Sequence, residues 1–119
     1  MVLIVDDDPR FLEQAEKLIT SDRGVFFALD ADHAKDLIRS IGGSLSVALV
    51  DLNLPGQDGF SLIRELRQHF PDLPLIAISG VLRREALESA RLLGATDALR
   101  KPITAEWKEA ISRARAING

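Results

Sequence analysis

The chain contains no cysteine and no tyrosine, and it has only two histidines among 119 residues. Without cysteine it can form no disulfide, use no thiol as a nucleophile and bind no metal through thiolates. A metal site here must therefore use oxygen or imidazole ligands. His33 and His69 lie in polar, helical surroundings without ligating neighbours, and we predict that both face solvent.

Long apolar runs are also absent, since no segment approaches the roughly 20 apolar residues of a membrane span. No signal peptide precedes Val2, which favours a cytoplasmic location without membrane contact. The net charge is −3 and no basic run occurs, so we expect no direct nucleic-acid contact. A composition of 46% hydrophobic and 28% charged residues predicts one globular domain over residues 1–119.

Short apolar runs alternate with longer stretches of helical periodicity along the chain, a pattern typical of βα units. The predicted strands are Val2 to Asp6, Val25 to Asp30, Val47 to Leu52, Leu73 to Ser79 and Asp97 to Lys101. All but the last are nearly continuous apolar runs, as in parallel strands covered on both faces.

Apolar residues at helical spacing fill the intervals between these strands and follow the last one. The predicted buried faces are Phe11, Ala15, Leu18 and Ile19; Ala34, Leu37, Ile38 and Ile41; Phe60, Ile63, Leu66 and Phe70; Leu82, Ala86, Ala90 and Leu93; and Trp107, Ala110, Ile111 and Ala114. Pro71 and Gly94 are predicted to end the third and fourth helices, and Thr104 to cap the fifth.

Polar side chains occupy the same end of four predicted strands. They are Asp6 and Asp7 after the first, Asp51 in the third, Ser79 in the fourth and Lys101 in the fifth. In an open parallel sheet, ligands bind outside the carboxyl ends of the strands. This order of polar residues therefore predicts a functional site at that edge.

The residue types at this edge suit phosphoryl chemistry. Three carboxylates repel one another unless a cation offsets their charge, and Mg²⁺ prefers such oxygen ligands. Lys101 would add positive charge and Ser79 a hydroxyl donor for a phosphoryl group. Carboxylates can act as nucleophiles that form acyl phosphates, so Asp51 is the predicted acceptor.

Four motifs, VDDD, VDLNLPGQDG, ISG and RKP, occur in this order, each at the end of its own predicted strand. Together they resemble the receiver domain of two-component response regulators over Val2 to about Ile117. The resemblance implies an α/β, flavodoxin-like fold: a doubly wound five-stranded parallel sheet in the order 2-1-3-4-5 with five helices. It also implies a histidine kinase or phosphotransfer protein as phosphoryl donor and a downstream protein or effector domain, and it leaves a homodimer open.

Roles for individual residues follow from this resemblance. Asp6 and Asp7 would hold Mg²⁺ directly or through water, while Asp51 would both ligate the ion and accept the phosphoryl group. The backbone carbonyl of Asn53 would be a further ligand.

The resemblance assigns the phosphoryl oxygens to two other side chains, Ser79 and Lys101. The Lys101–Pro102 peptide would be cis, a state that essentially only proline makes accessible. Gly80, which lacks a side chain, would leave the phosphoryl position open.

Plainer interpretations stand beside these roles. Asp7 and Asp8 before Pro9 could cap the first helix, and we keep that interpretation for Asp8. Lys101 could be a solvated lysine, and Ser79 could merely begin a turn. Arg83 and Arg84 are predicted to form a solvated face, with a partner-binding role left open.

One departure from the family concerns how the phosphorylated state is transmitted, and two further positions concern its lifetime. The residue three before Lys101 is usually aromatic in the family and turns inward on phosphorylation, but here it is Ala98. We therefore expect phosphorylation to change the loop of residues 80 to 84 instead. A partner protein would then bind to Leu82, Arg83 and Arg84. In the family, the side chains two positions beyond the acceptor and the serine, here Asn53 and Val81, flank the path of an attacking water. Asn53 can hydrogen-bond that water and Val81 cannot, so we expect slower dephosphorylation than in a Val81→Glu variant.

Other function classes remain as alternatives. A haloacid dehalogenase-type phosphatase also uses an aspartyl nucleophile and Mg²⁺, but it has a second acid two residues after the nucleophile, where this chain has Asn53. A pseudo-receiver would be only a protein-binding scaffold. We favour a signalling switch that catalyses its own phosphorylation and dephosphorylation over an enzyme with external substrates.

Overall fold

Alternating strands and helices make up the chain, as seen in a computed structural model that describes residues 1–19, 24–54, 58–80 and 84–117. The strands are β1 (Val2–Val5), β2 (Val25–Ala28), β3 (Val47–Asp51), β4 (Leu75–Ser79) and β5 (Asp97–Arg100). The helices are α1 (Pro9–Leu18), α2 (Ala31–Ile41), α3 (Gly59–His69), α4 (Arg84–Leu93) and α5 (Ala105–Ile117), and a single 3₁₀ turn covers Gly42–Ser44. None of the described helices is long and apolar enough to cross a membrane.

The strands form a parallel sheet in the order β2-β1-β3-β4-β5, which confirms the predicted flavodoxin-like fold. Alternate strand residues point to opposite faces of the sheet. Leu3 and Val5 pack with α2, α3 and α4, whereas Val2 and Ile4 pack with α1 and α5. Both faces of the sheet are therefore covered, as the apolar runs predicted.

The ladder of hydrogen bonds continues one residue past three of the strands. Asp6 N donates to Ala28 O, Leu52 N to Ile78 O and Lys101 N to Ser79 O, over 2.9 to 3.0 Å. The alternation of side chains therefore extends to the polar residues that follow. By this alternation Asp6, Asp51 and Lys101 lie on the face that α1 and α5 cover.

All five strands are one or two residues shorter than predicted, and two of them show the local reason. β4 begins at Leu75 instead of Leu73, since Pro74 has no N–H to donate to a ladder. β2 ends at Ala28, and Asp30 Oδ1 instead accepts a hydrogen bond of 2.8 Å from His33 N at the start of α2. Strand ends thus give way to the caps of the following helices.

The predicted faces of α1 and β2 need correction. Leu18 is 44% exposed, while Ile19 is buried, because the helix ends at Leu18 and the extended backbone of Ile19 turns that side chain to the core. β2 pairs only with β1, so Val25, Phe26 and Phe27 at this sheet edge are half-buried and not fully covered.

The other helical faces mostly agree with the prediction, and their extremes are half-buried. The fully buried members are Phe11, Ala15, Ala34, Ile38, Ile63, Leu66, Ala90, Trp107, Ala110, Ile111 and Ala114. Leu37, Ile41, Phe60, Phe70, Ala86 and Leu93 are half-buried, and Leu82 lies outside the described residues. His33 and His69 are exposed, as predicted.

Candidate functional site

The site is built around Lys101, whose ammonium group lies between two carboxylates from different strands. Its Nζ is 2.5 Å from Asp6 Oδ2 and 3.2 Å from Asp51 Oδ2. Asp6 and Asp51 are both buried, and the Lys101 side chain is only 17% exposed. A lysine so placed is part of a buried charge cluster, which rules out the simple solvated lysine considered above.

The second oxygen of each carboxylate accepts a hydrogen bond from the backbone. Asp8 N donates to Asp6 Oδ1 over 2.9 Å, and Asn53 N donates to Asp51 Oδ1 over 3.0 Å. These bonds fix the orientation of both carboxylates. As a result, their Oδ2 atoms converge on the same ammonium group.

Asp7 is the exposed member of this acidic group. One carboxylate oxygen from each of Asp6, Asp7 and Asp51 lies within 4.8 Å of the others. The helix cap is the neighbouring Asp8, whose Oδ1 accepts from Arg10 N over 3.0 Å with Pro9 at the first helical position. The cap interpretation is therefore confirmed for Asp8, and Asp7 belongs to the acidic group.

The donor set fits a hard divalent cation. Carboxylate oxygens are the ligands that Mg²⁺ prefers, and one exposed member leaves an open side for waters or a further oxygen ligand. Two buried carboxylates and a single lysine also leave negative charge that a cation would balance. The acidic group meets the chemical requirements of a magnesium site.

Burial dominates the electrostatics of Asp6. It raises the pKa of the Asp6 carboxyl above its ordinary value, and the nearby Asp51 raises it further, although the bonds from Lys101 and Asp8 act in the opposite direction. For Lys101, burial by itself lowers the pKa, but the hydrogen bonds and charges of Asp6 and Asp51 outweigh it and raise the pKa overall. The lysine thus stays charged, while burial makes the ionised form of Asp6 less favourable than it is in water.

The remaining predicted residues lie at the same edge of the sheet. Ser79 is buried at the end of β4, one residue beyond Ile78, the register partner of Asp51. Asn53 is exposed. The Lys101–Pro102 peptide is cis, as expected. A Cβ on Gly80 would meet Lys101 Cδ at 3.8 Å, an ordinary contact, so Gly80 borders the lysine.

Several other sequence-based expectations have separate outcomes. Val81 and Arg83, like Leu82, lie outside the described residues, whereas the Arg84 side chain is 90% exposed, as predicted. Ala98 is buried in the core on the α2–α3–α4 face. Thr104 precedes α5 and accepts a bond from Trp107 N through its backbone carbonyl, so the hydroxyl cap stays a prediction.

Three residues next to the site were not recognised from the sequence as neighbours of it. The Lys101 ammonium lies 4.3 Å from the centroid of the Phe11 ring, and that ring contacts Trp107. Gly59 begins α3 against the end of β3, where an added Cβ would overlap the carbonyl oxygen of Asp51. Only the DG pair in the turn hinted at Gly59, and the periodicity marked both aromatic residues merely as core.

Comparison with known proteins gives a consistent result. The family described as the response regulator receiver domain matches residues 2–111. The heme response regulator HssR of Staphylococcus aureus is 35% identical over 119 residues, covering 97% of this chain and 50% of HssR. Protein PetR of Rhodobacter capsulatus is 38% identical over 117 residues, covering 98% of this chain and 47% of PetR.

A solved structure agrees with these sequence matches. The receiver domain of NtrX from Brucella abortus superimposes with a TM-score of 0.86 at 30% identity, covering 98% of each chain. The chain spans about half the length of the two curated relatives named above. Matched in sequence along most of its length and in fold along nearly all of it, the chain belongs to the receiver domain family of two-component response regulators.

Proposed function

We propose that this receiver domain is a phosphorylated switch in which Asp51 accepts a phosphoryl group from a phosphohistidine of a histidine kinase or phosphotransfer protein in the cytoplasm. The supporting observation is that the Lys101 ammonium lies between Asp6 and Asp51. Asp7 belongs to the same acidic group, in which one carboxylate oxygen of each aspartate lies within 4.8 Å of the others. This arrangement brings together a nucleophile, a fixed cation and candidate metal ligands.

The transfer needs one bond made and one broken. A carboxylate oxygen of Asp51 attacks phosphorus, the P–N bond to the donor imidazole breaks, and the imidazole nitrogen keeps the electron pair. The chain's own contribution is positioning and charge neutralisation, which dominate phosphoryl transfer. Asn53 N orients the Asp51 carboxylate through Oδ1, and Lys101 supplies positive charge at Oδ2.

Asp6, Asp7, Asp51 and the backbone carbonyl of Asn53 are the residues that would hold Mg²⁺. When bound, the ion neutralises the charge that gathers on the phosphoryl oxygens. Lys101 would then contact a phosphoryl oxygen in place of a carboxylate, and the Ser79 hydroxyl would donate to another. Ser79 and Lys101 follow neighbouring strands that stay joined by the bond from Lys101 N to Ser79 O.

The proposed output is a change in the surface that a downstream protein or effector domain binds. Phosphorylation adds charge beside Ser79, and a switch of this kind requires the hydroxyl to interact differently with the two states. With Ala98 at the usual aromatic position, we place the change in the loop of residues 80 to 84 and in α4. β5 should then shift little.

Labelling with acetyl phosphate and Mg²⁺ tests the proposal. The parent should gain one phosphoryl group by intact mass, and the adduct should be cleaved by hydroxylamine, whereas Asp51→Asn should gain none. Asp36→Asn, at an exposed position on α2, is the control and should label like the parent. Equal labelling of Asp51→Asn would refute the assignment of the acceptor.

Two alternatives give different results in the same experiment. A pseudo-receiver scaffold would remain unlabelled in the parent as well. A phosphatase would turn over many phosphate esters without accumulating a stable adduct.

A further inference from the structure

The Lys101 ammonium has an aromatic neighbour in addition to its carboxylates. Its Nζ lies over the ring of Phe11, 4.3 Å from the ring centroid. Phe11 comes from α1 and is 4% exposed. A cation over an aromatic face is attracted by the ring's quadrupole, more strongly where water is excluded. Phe11 therefore holds the ammonium from a side that carries no formal charge.

This neutral contact differs in kind from the two carboxylate contacts. Under the proposed function, Asp6 would become a metal ligand and Asp51 an acyl phosphate, so neither carboxylate would keep its present contact with Lys101. The Phe11 ring neither ligates a metal nor reacts with phosphate. It is thus a partner that Lys101 can keep through the whole reaction.

The Phe11 ring is itself fixed by Trp107. Their ring centroids are 5.6 Å apart with the planes at 55°, a tilted aromatic pair. Trp107 is 1% exposed, and its indole Nε1 donates to Arg100 O over 2.9 Å. One side chain of α5 therefore contacts the ring beneath Lys101 and also bonds the backbone just before Lys101.

We infer that Phe11, supported by Trp107, is a positioning residue that keeps the Lys101 ammonium beside Asp51 when the carboxylates are engaged by a cation and a phosphoryl group. This inference rests on the proposed function. It assigns a role in the reaction to an α1 residue that would otherwise be only part of the core. It also links the site to α5 through contacts that do not involve Ala98.

Substitution and fluorination of Phe11 test the inference together. Phe11→Leu keeps an apolar side chain but removes the ring face, and it should slow acetyl phosphate labelling roughly tenfold. Phe26→Leu, a half-buried position on the other face of the sheet, is the matched control and should label within about twofold of the parent. Site-specific mono-, di- and trifluorophenylalanine at position 11 keeps the ring shape while weakening its negative face. The rate should therefore fall stepwise with each added fluorine even if Phe11→Leu folds poorly.

A spectroscopic readout follows Lys101 directly. Because Lys101 Nζ lies over the Phe11 ring, the resonances of the methylene protons next to Nζ should appear upfield of those of Lys17, Lys35 and Lys108. The upfield shift should vanish in Phe11→Leu. It should persist after addition of Mg²⁺ and beryllofluoride, a phosphoryl mimic, because the ring keeps the ammonium.

Each result has a defined meaning. Unchanged labelling across the fluorinated series, or a Lys101 resonance that moves to the position of exposed lysines on adding beryllofluoride, would overturn the inference alone. A parent protein that takes up neither acetyl phosphate label nor beryllofluoride would overturn the proposed function, and the inference with it.

Discussion

The strands of the sheet end at its carboxyl edge and begin at its amino edge, and a partly buried cation lies at each. The two cations have different partners. At the carboxyl edge, Lys101 lies between Asp6 and Asp51. At the amino edge, the hydrogen bonds of Arg67 of α3 within the described residues go to backbone carbonyls: Nε and Nη2 to Gly94 O over 3.0 and 2.8 Å, and Nη1 to Phe70 O and Pro71 O over 3.3 and 2.7 Å.

Arg67 joins the ends of two helices. Phe70 and Pro71 follow α3, and Gly94 follows α4, where carbonyls lack partners within their helices. Gly94 has φ +126°, and a Cβ there would come within 2.7 Å of Arg67 Cγ, so glycine is needed for its backbone conformation and for space. Burial lowers the pKa of Arg67, with Asp72 acting in the opposite direction. The guanidinium bonds the Gly94 and Pro71 carbonyls and shares the Phe70 carbonyl with Leu73 N.

The two cations differ in the charge of the groups that they bond. The carbonyls around Arg67 are neutral, so burying them destabilises the fold little once they are hydrogen-bonded. The carboxylates around Lys101 repel each other, and burial raises the pKa of Asp6. A buried cluster of like charges with a perturbed pKa is typical of sites that bind a ligand or react.

Removing the cation at the carboxyl edge should have the largest effect. In Lys101→Met, two buried carboxylates face each other without compensation, and the charge at the acceptor oxygen is lost. We expect labelling by acetyl phosphate to slow about 100-fold. Without Mg²⁺, Lys101→Met should also unfold at a lower urea concentration than the parent protein.

Lys108→Met, at an exposed position on α5, is the control for this effect. It should match the parent in both measurements. A Lys101→Met protein that labels at the parental rate would show that Lys101 is not part of the reaction.

Removing the cation at the amino edge should affect stability and spare the reaction. Arg67→Met removes four hydrogen bonds and leaves the Gly94 and Pro71 carbonyls without this partner, so we expect the free energy of unfolding to fall by about 3 kcal/mol. Arg64→Met, at an exposed position on the same helix, should change it by less than about 0.5 kcal/mol. If urea denaturation gives equal values for both variants, the four bonds of Arg67 contribute little.

A smaller effect is expected at the exposed acid of the carboxyl edge. Asp7→Asn removes one charge from the proposed ligand set and should weaken Mg²⁺ binding about tenfold. Asp8→Asn is a close control, because asparagine and aspartate cap helices equally well. The Asp8→Asn variant should bind Mg²⁺ with the affinity of the parent. The fluorescence of Trp107, the only tryptophan, can follow both titrations.

The smallest expected effect is a pH-dependent gain in stability of Asp6→Asn without Mg²⁺. A carboxyl with a raised folded-state pKa contributes stability below its unfolded-state pKa and loses it as pH rises through the folded-state pKa. Asparagine does not titrate, so the variant should gain on the parent as pH rises through this window and stay ahead at neutral pH. Denaturation at several pH values measures this, and a variant that is less stable at neutral pH would contradict it.

Much of the fold and of the candidate site could be predicted from local pattern. Continuous apolar runs marked β1, β3 and β4 as covered strands, and the polar residues after them marked one edge, since parallel strands all end at the same side. Asp8 was predictable as a cap because Pro9 follows it. Leu18 was placed wrongly because helical periodicity does not reveal where a helix ends.

Contacts between residues far apart in the chain depend on how the elements pack. Nothing in the sequence indicates that Phe11, Lys101 and Trp107 form one group, because their contacts depend on α1 and α5 covering the same face of the sheet. The hold of Arg67 on Gly94 likewise spans 27 residues. The succession of strands and helices along the chain and the residue types at one edge could be predicted from the sequence, since periodicity and strand ends are local properties. The partners of each charge were decided by packing, because the sheet order and helix faces set distances that no local pattern contains.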